Sequence, residues 1–190
     1  MRPPAWPLAA TAVVVFALSA TAGGAPPPGP VPAEREWRSH GGNPGHTQHS
    51  PLDQIDTTNV GRLRVAWTYR TGDARAEGRS QIQCNPIVVD GVLYGTTARV
   101  ETFALDAATG REIWRFNPAE AGVEVPAGGV GVNRGVAYWG DDAERRILVT
   151  AGQRLFALDA HTGKPAGDFG HDGSVDLREG LGRDAADLFV

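Results

Sequence analysis

Three histidines, His40, His46 and His49, fall within ten residues of one another, a spacing at which imidazoles can share a metal ion. Asp141-Asp142 and Asp172 add carboxylates of the kind that bind hard cations. The surroundings argue against both sets. The histidines sit among Gly, Asn and Pro in SHGGNPGHTQHSP, residues 39–51, which reads as an ordered loop. GDDAERR and GHDG, around the aspartates, read as solvated turns. No metal ligand and no catalytic residue is assigned. Cys84 is the one cysteine, so no disulfide forms within the chain. It is either a small buried apolar residue or part of something more specific.

The elements that position these groups show themselves through a repeat. ALDAATGREIW, residues 104–114, returns as ALDAHTGKPAG, residues 157–167, with Asp159 following Asp106 by 53 positions. Self-similarity at such a period points to a repeat architecture. Within it, Asp106 and Asp159 can accept hydrogen bonds from the turn that follows. Gly110 and Gly163 can take the left-handed conformation that closes a short β-loop. Ala104 and Ala157 stand where a larger side chain would obstruct stacking, and Trp114 offers a flat ring to a neighbouring sheet. The second copy has Gly167 in place of that ring, with Phe169 as a substitute nearby, and His161 takes the variable position held by Ala108.

Strand signals surround the repeat. NPIVV (85–89) and VLYGTT (92–97) flank Asp90-Gly91, the strongest short hairpin signal. FALD (103–106) and EIWRF (112–116) flank AATG, and RILVTA (146–151) and RLFALD (154–159) flank Gly152-Gln153. LRVAWTY (63–69) alternates as a strand and places Trp67 some 47 residues before Trp114. No helical period is sustained. The expected fold is all-β, with about three units of antiparallel strands that stack as blades of a β-propeller.

The chain has 190 residues, of which 41% are hydrophobic, with 25 Gly and 14 Pro and a formal net charge of −4. A nucleic-acid partner requires a basic stripe, and no basic run here exceeds a pair such as Arg145-Arg146. Residues 1–22 read as a signal peptide: Arg2, an apolar core from Leu8 to Leu18, then Ala20-Thr21-Ala22 as the cleavage site. An uncleaved membrane anchor is the alternative, although the apolar part is shorter than the ~20 residues a spanning helix needs. Residues 23–36 form a Pro-rich spacer, stiffened by PPPGP at 26–30. The product is expected in the periplasm or otherwise exported, with membrane association left open.

A-L-D-A-x-T-G-[RK]-x-x-W resembles the tryptophan-docking repeat of the pyrroloquinoline quinone (PQQ) dependent dehydrogenases. The entry segment agrees through Trp37, Gly41-Gly42, Ser50-Pro51-Leu52, Asn59-Val60, Ala66-Trp67 and Thr71-Gly72, as does VNRGVAYW, 132–139. The resemblance runs from Trp37 to the end. It implies an eight-bladed propeller of four-stranded antiparallel sheets that holds PQQ and a calcium ion near its axis. Residues 37–190 then form a partial PQQ-type propeller, the amino-terminal part of a longer protein. Alone, it is expected to bind PQQ weakly or not at all.

By the same resemblance, Arg134 matches the arginine that binds a PQQ carboxylate, a role suited to a planar guanidinium fork. Gln83 stands where many relatives have a glutamate that contacts PQQ, and Cys84 and Asn85 beside it are candidates to line the pocket. Alcohol-oxidising relatives carry two adjacent cysteines before VNRG, where this chain has Gly128-Gly129, which favours the sugar-oxidising, glucose-dehydrogenase-like branch. Calcium ligands and the catalytic aspartate lie further along the family's chain than this sequence extends. The implied activity is oxidation of a sugar or other alcohol by hydride transfer to PQQ, with a quinone or cytochrome as the electron acceptor. The alternatives are a non-catalytic propeller scaffold of the cell envelope, or an inactive truncated remnant.

Overall fold

The computed structural model describes residues 36–74, 80–123, 133–141 and 143–182. The leader and spacer before Glu36, Gly128-Gly129, Asp142 and the last eight residues lie outside these. Among the described residues the chain folds into two four-stranded antiparallel sheets, each in strict chain order. The first holds β1 (Ile87–Val89), β2 (Val92–Thr96), β3 (Thr102–Asp106) and β4 (Glu112–Phe116). The second holds β5 (Ala137–Gly140), β6 (Arg145–Ala151), β7 (Arg154–Asp159) and β8 (Ser174–Asp176). These are two blades.

Local chemistry sets the turns. Asp90 and Gly91 both have positive φ, at 51° and 76°, which matches the twist of the strands they join. In the repeated turn, Asp106 Oδ1 accepts the backbone N–H groups of Ala108 and Thr109 and the Thr109 hydroxyl, at 3.1, 2.9 and 2.9 Å. Asp159 Oδ1 does the same for His161 and Thr162. These bonds hold the half-buried Asp106 carboxyl below the usual carboxylate range, the Thr109 hydroxyl foremost. At Asp159 burial pulls the other way, but the Thr162 and His161 donors outweigh it and the pKa falls.

The tryptophans explain the repeat's spacing. Trp67 Nε1 donates to Ala107 O at 3.1 Å, and Trp114 Nε1 donates to Ala160 O at 2.9 Å. Each ring covers the turn glycine of the unit that follows. A Cβ on Gly110 would lie 2.5 Å from the Trp67 ring, and one on Gly163 would lie 2.5 Å from the Trp114 ring. The glycines are therefore demanded twice, by φ of 71° and 70° and by the ring above. In the second copy the position of Trp114 is taken by Gly167, which is exposed with nothing within 4 Å of its Cβ position.

β3 is buried at every residue but Asp106, and β7 at its centre, Phe156–Leu158, as expected of strands covered on both faces. A single apolar core joins the blades, with Ile87, Tyr94 and Phe116 from the first meeting Ile147, Phe156 and Leu158 from the second. The Phe116 and Phe156 rings sit 5.2 Å apart. Ala104 and Ala157 are fully buried and leave room for this stacking.

One expectation fails: Leu63–Tyr69 is not a strand, and the two complete blades among the described residues are β1–β4 and β5–β8. The segment is tied through the Trp67 ring and Tyr69, but no ladder pairs with it, and Val65 is 83% exposed. Alternation supplies a face for a strand, and only a partner supplies its hydrogen bonds. The entry loop is ordered as expected: Trp37 and Val88 exchange backbone bonds at 3.2 and 2.8 Å, and Gly42 lies against the Trp37 ring.

Candidate functional site

The two blades meet where their first strands begin. Asn85 and Gly135 form a parallel bridge, in which the Asn85 N–H donates to Arg134 O at 2.9 Å and its Nδ2 donates to the same oxygen at 3.3 Å. A Cβ at Gly135 would lie 2.8 Å from Asn85 O, and φ there is 146°, so only glycine permits the approach. Two segments 49 residues apart in sequence thus form one lip.

Arg134 is exposed there, and among the described residues no carboxylate pairs with it. Gln83 and Cys84, half-buried, precede Asn85 on the facing segment. Gln83 Nε2 donates to Gln81 Oε1 at 2.7 Å. Cys84 Sγ accepts the Thr96 N–H at 3.2 Å and lies against Gly95. The three residues singled out from sequence are therefore held on adjoining segments, an exposed cation with an amide and a thiol. None of them is a carboxylate. Such a donor set suits a ligand rich in negative charge, with the guanidinium offering two parallel N–H groups to one of its carboxylates.

Sequence reasoning missed Asn133 and Thr96. Asn133 is buried, and its amide is bonded to both blades: Oδ1 accepts the Gly135 N–H at 2.8 Å and the Thr96 hydroxyl at 3.4 Å, while Nδ2 donates to Thr150 O at 2.9 Å. The only sequence signal was its place beside Arg134 in VNRG.

The other candidates stay apart from this lip. Among the described residues no group of three or more His, Cys, Asp or Glu side chains could hold a metal. Asp141 Oδ1 instead accepts the Ala143 and Glu144 N–H groups, and Asp172 pairs with His171 in the open. A cleft of about 580 Å3 lined by Glu144, Arg145, Arg146, Asp159, His161 and Asp168 lies by the β5–β6 turn, at the other end of the blade. Its arginines are already paired, Arg145 with Asp90 at 2.7 Å and Arg146 with Glu144 and Asp168.

Residues 37–190 match the model of the PQQ glucose/ethanol/alcohol dehydrogenase β-propeller domain. The chain belongs to this family. Among curated PQQ-family relatives, the dehydrogenase subunit of the quinone alcohol dehydrogenase of Gluconobacter oxydans is 40% identical over 130 residues, 68% of this chain and 16% of that protein. Quinoprotein glucose dehydrogenase A of Acinetobacter calcoaceticus is 33% identical over 173 residues, 79% of this chain and 21% of that protein. The crystal structure of the quinohemoprotein alcohol dehydrogenase of Comamonas testosteroni superposes with a TM-score of 0.58 at 31% identity, over 77% of this chain and 20% of that one. The chain spans about a fifth of the length of these PQQ-family relatives.

Proposed function

We propose that the polypeptide carrying these blades is an exported PQQ-dependent dehydrogenase that oxidises a CH–OH group of a sugar or other alcohol. One observation carries the reading: an exposed arginine, paired with no carboxylate among the described residues, on the same lip as Gln83 and Cys84, in a chain of the PQQ propeller family. When bound, PQQ supplies an o-quinone that accepts two electrons and a proton from the substrate carbon.

This chain's own residues would hold the cofactor. Arg134 takes a PQQ carboxylate through a bidentate pair. Gln83, neutral where relatives carry glutamate, donates an amide hydrogen bond and adds no repulsion to a tricarboxylate. Cys84 fills the wall beneath it, anchored by the Thr96 N–H. A calcium ion and the groups that bind it belong to other parts of the family's propeller, as does the base that takes the hydroxyl proton. The sugar branch rests on Gly128-Gly129 replacing a cysteine pair, and export to the periplasm rests on the leader at 1–22.

The test is an absorbance titration of the complete gene product with PQQ, with and without calcium. Saturable binding is expected, and Arg134→Ala should weaken it by about 10- to 100-fold, the worth of a charge-assisted bidentate pair. No binding at any concentration would overturn the cofactor reading and leave a scaffold. Activity on glucose but not ethanol, with an artificial acceptor, would support the sugar branch, and the reverse would sink it.

A further inference from the structure

We propose that Asn133 is a positioning residue for Arg134, fixing the backbone that presents the guanidinium and linking it to both blades; the inference rests on the cofactor reading of this lip. The starting observation is a buried amide. Asn133 is 7% exposed, and burying an amide is costly unless its acceptor and donor are both used. Both are used, on three different segments. Oδ1 takes the N–H of Gly135 at 2.8 Å, closing a tight turn with Arg134 at its centre. The same oxygen accepts the Thr96 hydroxyl from the end of β2 at 3.4 Å. Nδ2 donates to Thr150 O of β6 at 2.9 Å, with Thr150 Oγ1 at 3.4 Å.

The result is a backbone clamped on both sides of one residue. The Arg134 carbonyl is held by Asn85, at 2.9 and 3.3 Å, and the next N–H is held by Asn133. The backbone from which the Arg134 side chain projects is thereby fixed over the lip. Thr96 also donates its own N–H to Cys84. The chain Arg134–Asn133–Thr96–Cys84 therefore sets the distance between the two segments that face the ligand. An alanine at 133 keeps the fold's apolar core intact but frees the Gly135 N–H and lets the turn relax. Asn133 does not touch the ligand, and its effect travels through Arg134.

Two readouts test this, one of them free of cofactor. In amide hydrogen exchange on the full chain, Asn133→Ala should speed exchange at Asn85 and Gly135 by about tenfold or more, the loss of one buried hydrogen bond. Exchange at Leu105 and Val149, inside the sheets, should stay at wild-type rates. In PQQ titration of the complete gene product, Asn133→Ala should weaken binding about tenfold when Arg134 is present and not at all on an Arg134→Ala background. Asn133→Ser, which keeps an acceptor for the Gly135 N–H, should recover most of the lost protection and affinity; it also serves if the alanine variant does not fold. Unchanged exchange at Asn85 and Gly135 would overturn the proposal, and so would equal weakening with and without Arg134. If the wild type binds no PQQ, the cofactor reading falls together with this one. Binding with additive losses removes this one alone.

Discussion

Tyr94 shows how a single side chain reports on the packing around it. Its hydroxyl donates to Ala160 O at 3.2 Å, the carbonyl that also takes the Trp114 N–H, and its ring centroid lies 5.9 Å from that of Trp114. Burial is the main cause that pushes its pKa up to about 12. An unfolded tyrosine ionises near 10, so between about pH 10 and 12 the folded chain holds a proton that the unfolded chain has released. Stability is then fully present below pH 10 and falls as pH rises through that window. Tyr69, also raised to about 12 by burial and by its Glu112 partner, adds to the same slope. Urea midpoints measured from pH 8 to 12 should fall less steeply in Tyr94→Phe than in wild type. At pH 7 the variant should lose only about 0.5–1.5 kcal/mol, one neutral hydrogen bond. An unchanged slope would show that Tyr94 ionises freely in the fold.

At the scale of the element, the repeated turn joins two requirements in one glycine. Positive φ alone makes Gly110→Ala and Gly163→Ala strained. The tryptophan rings 2.5 Å from a Cβ add a clash with a bulky, docked group, so each should cost about 1–3 kcal/mol, read as a shift of the urea midpoint. Gly122 also has positive φ, at 76°, but nothing stands within 4 Å of its Cβ position, so Gly122→Ala measures the conformational part alone. Equal costs at all three positions would mean that the rings contribute nothing. The repeat made the turn visible in sequence, through Asp, Thr and Gly at set offsets. It did not reveal which ring covers which glycine, because Trp67 and Trp114 act on the following unit rather than their own.

For the whole molecule, cooperativity depends on the seam between blades. That seam holds the Trp114 dock, the Tyr94–Ala160 bond, the Phe116–Phe156 contact, the Asn85–Gly135 bridge and the Arg145–Asp90 pair. The ion pair is exposed and worth little, so the aromatic contacts dominate. Trp114→Ala should cost about 3–5 kcal/mol and loosen the coupling. Stacked units whose interface is weakened unfold separately, so amide exchange should show β5–β8 opening without β1–β4. Simultaneous opening of both sheets would place the coupling elsewhere in the seam.

The residues by themselves determined the all-β class, the two hairpins at Asp90-Gly91 and Gly152-Gln153, the repeated turn and the family. Each is written in local spacing, and short turns and strand alternation are decided by neighbours in the chain. The sequence could not decide whether LRVAWTY becomes a strand, since that depends on a partner's free backbone rather than on its own alternation. Nor could it show that Gln83, Cys84 and Arg134 share one lip, because β1 and β5 are brought together only by the stacked faces of two blades. Asn133 makes the same point in one residue. As a letter it is a polar neighbour of an arginine, and only tertiary contact with Thr96 and Thr150 turns it into the tie between the blades.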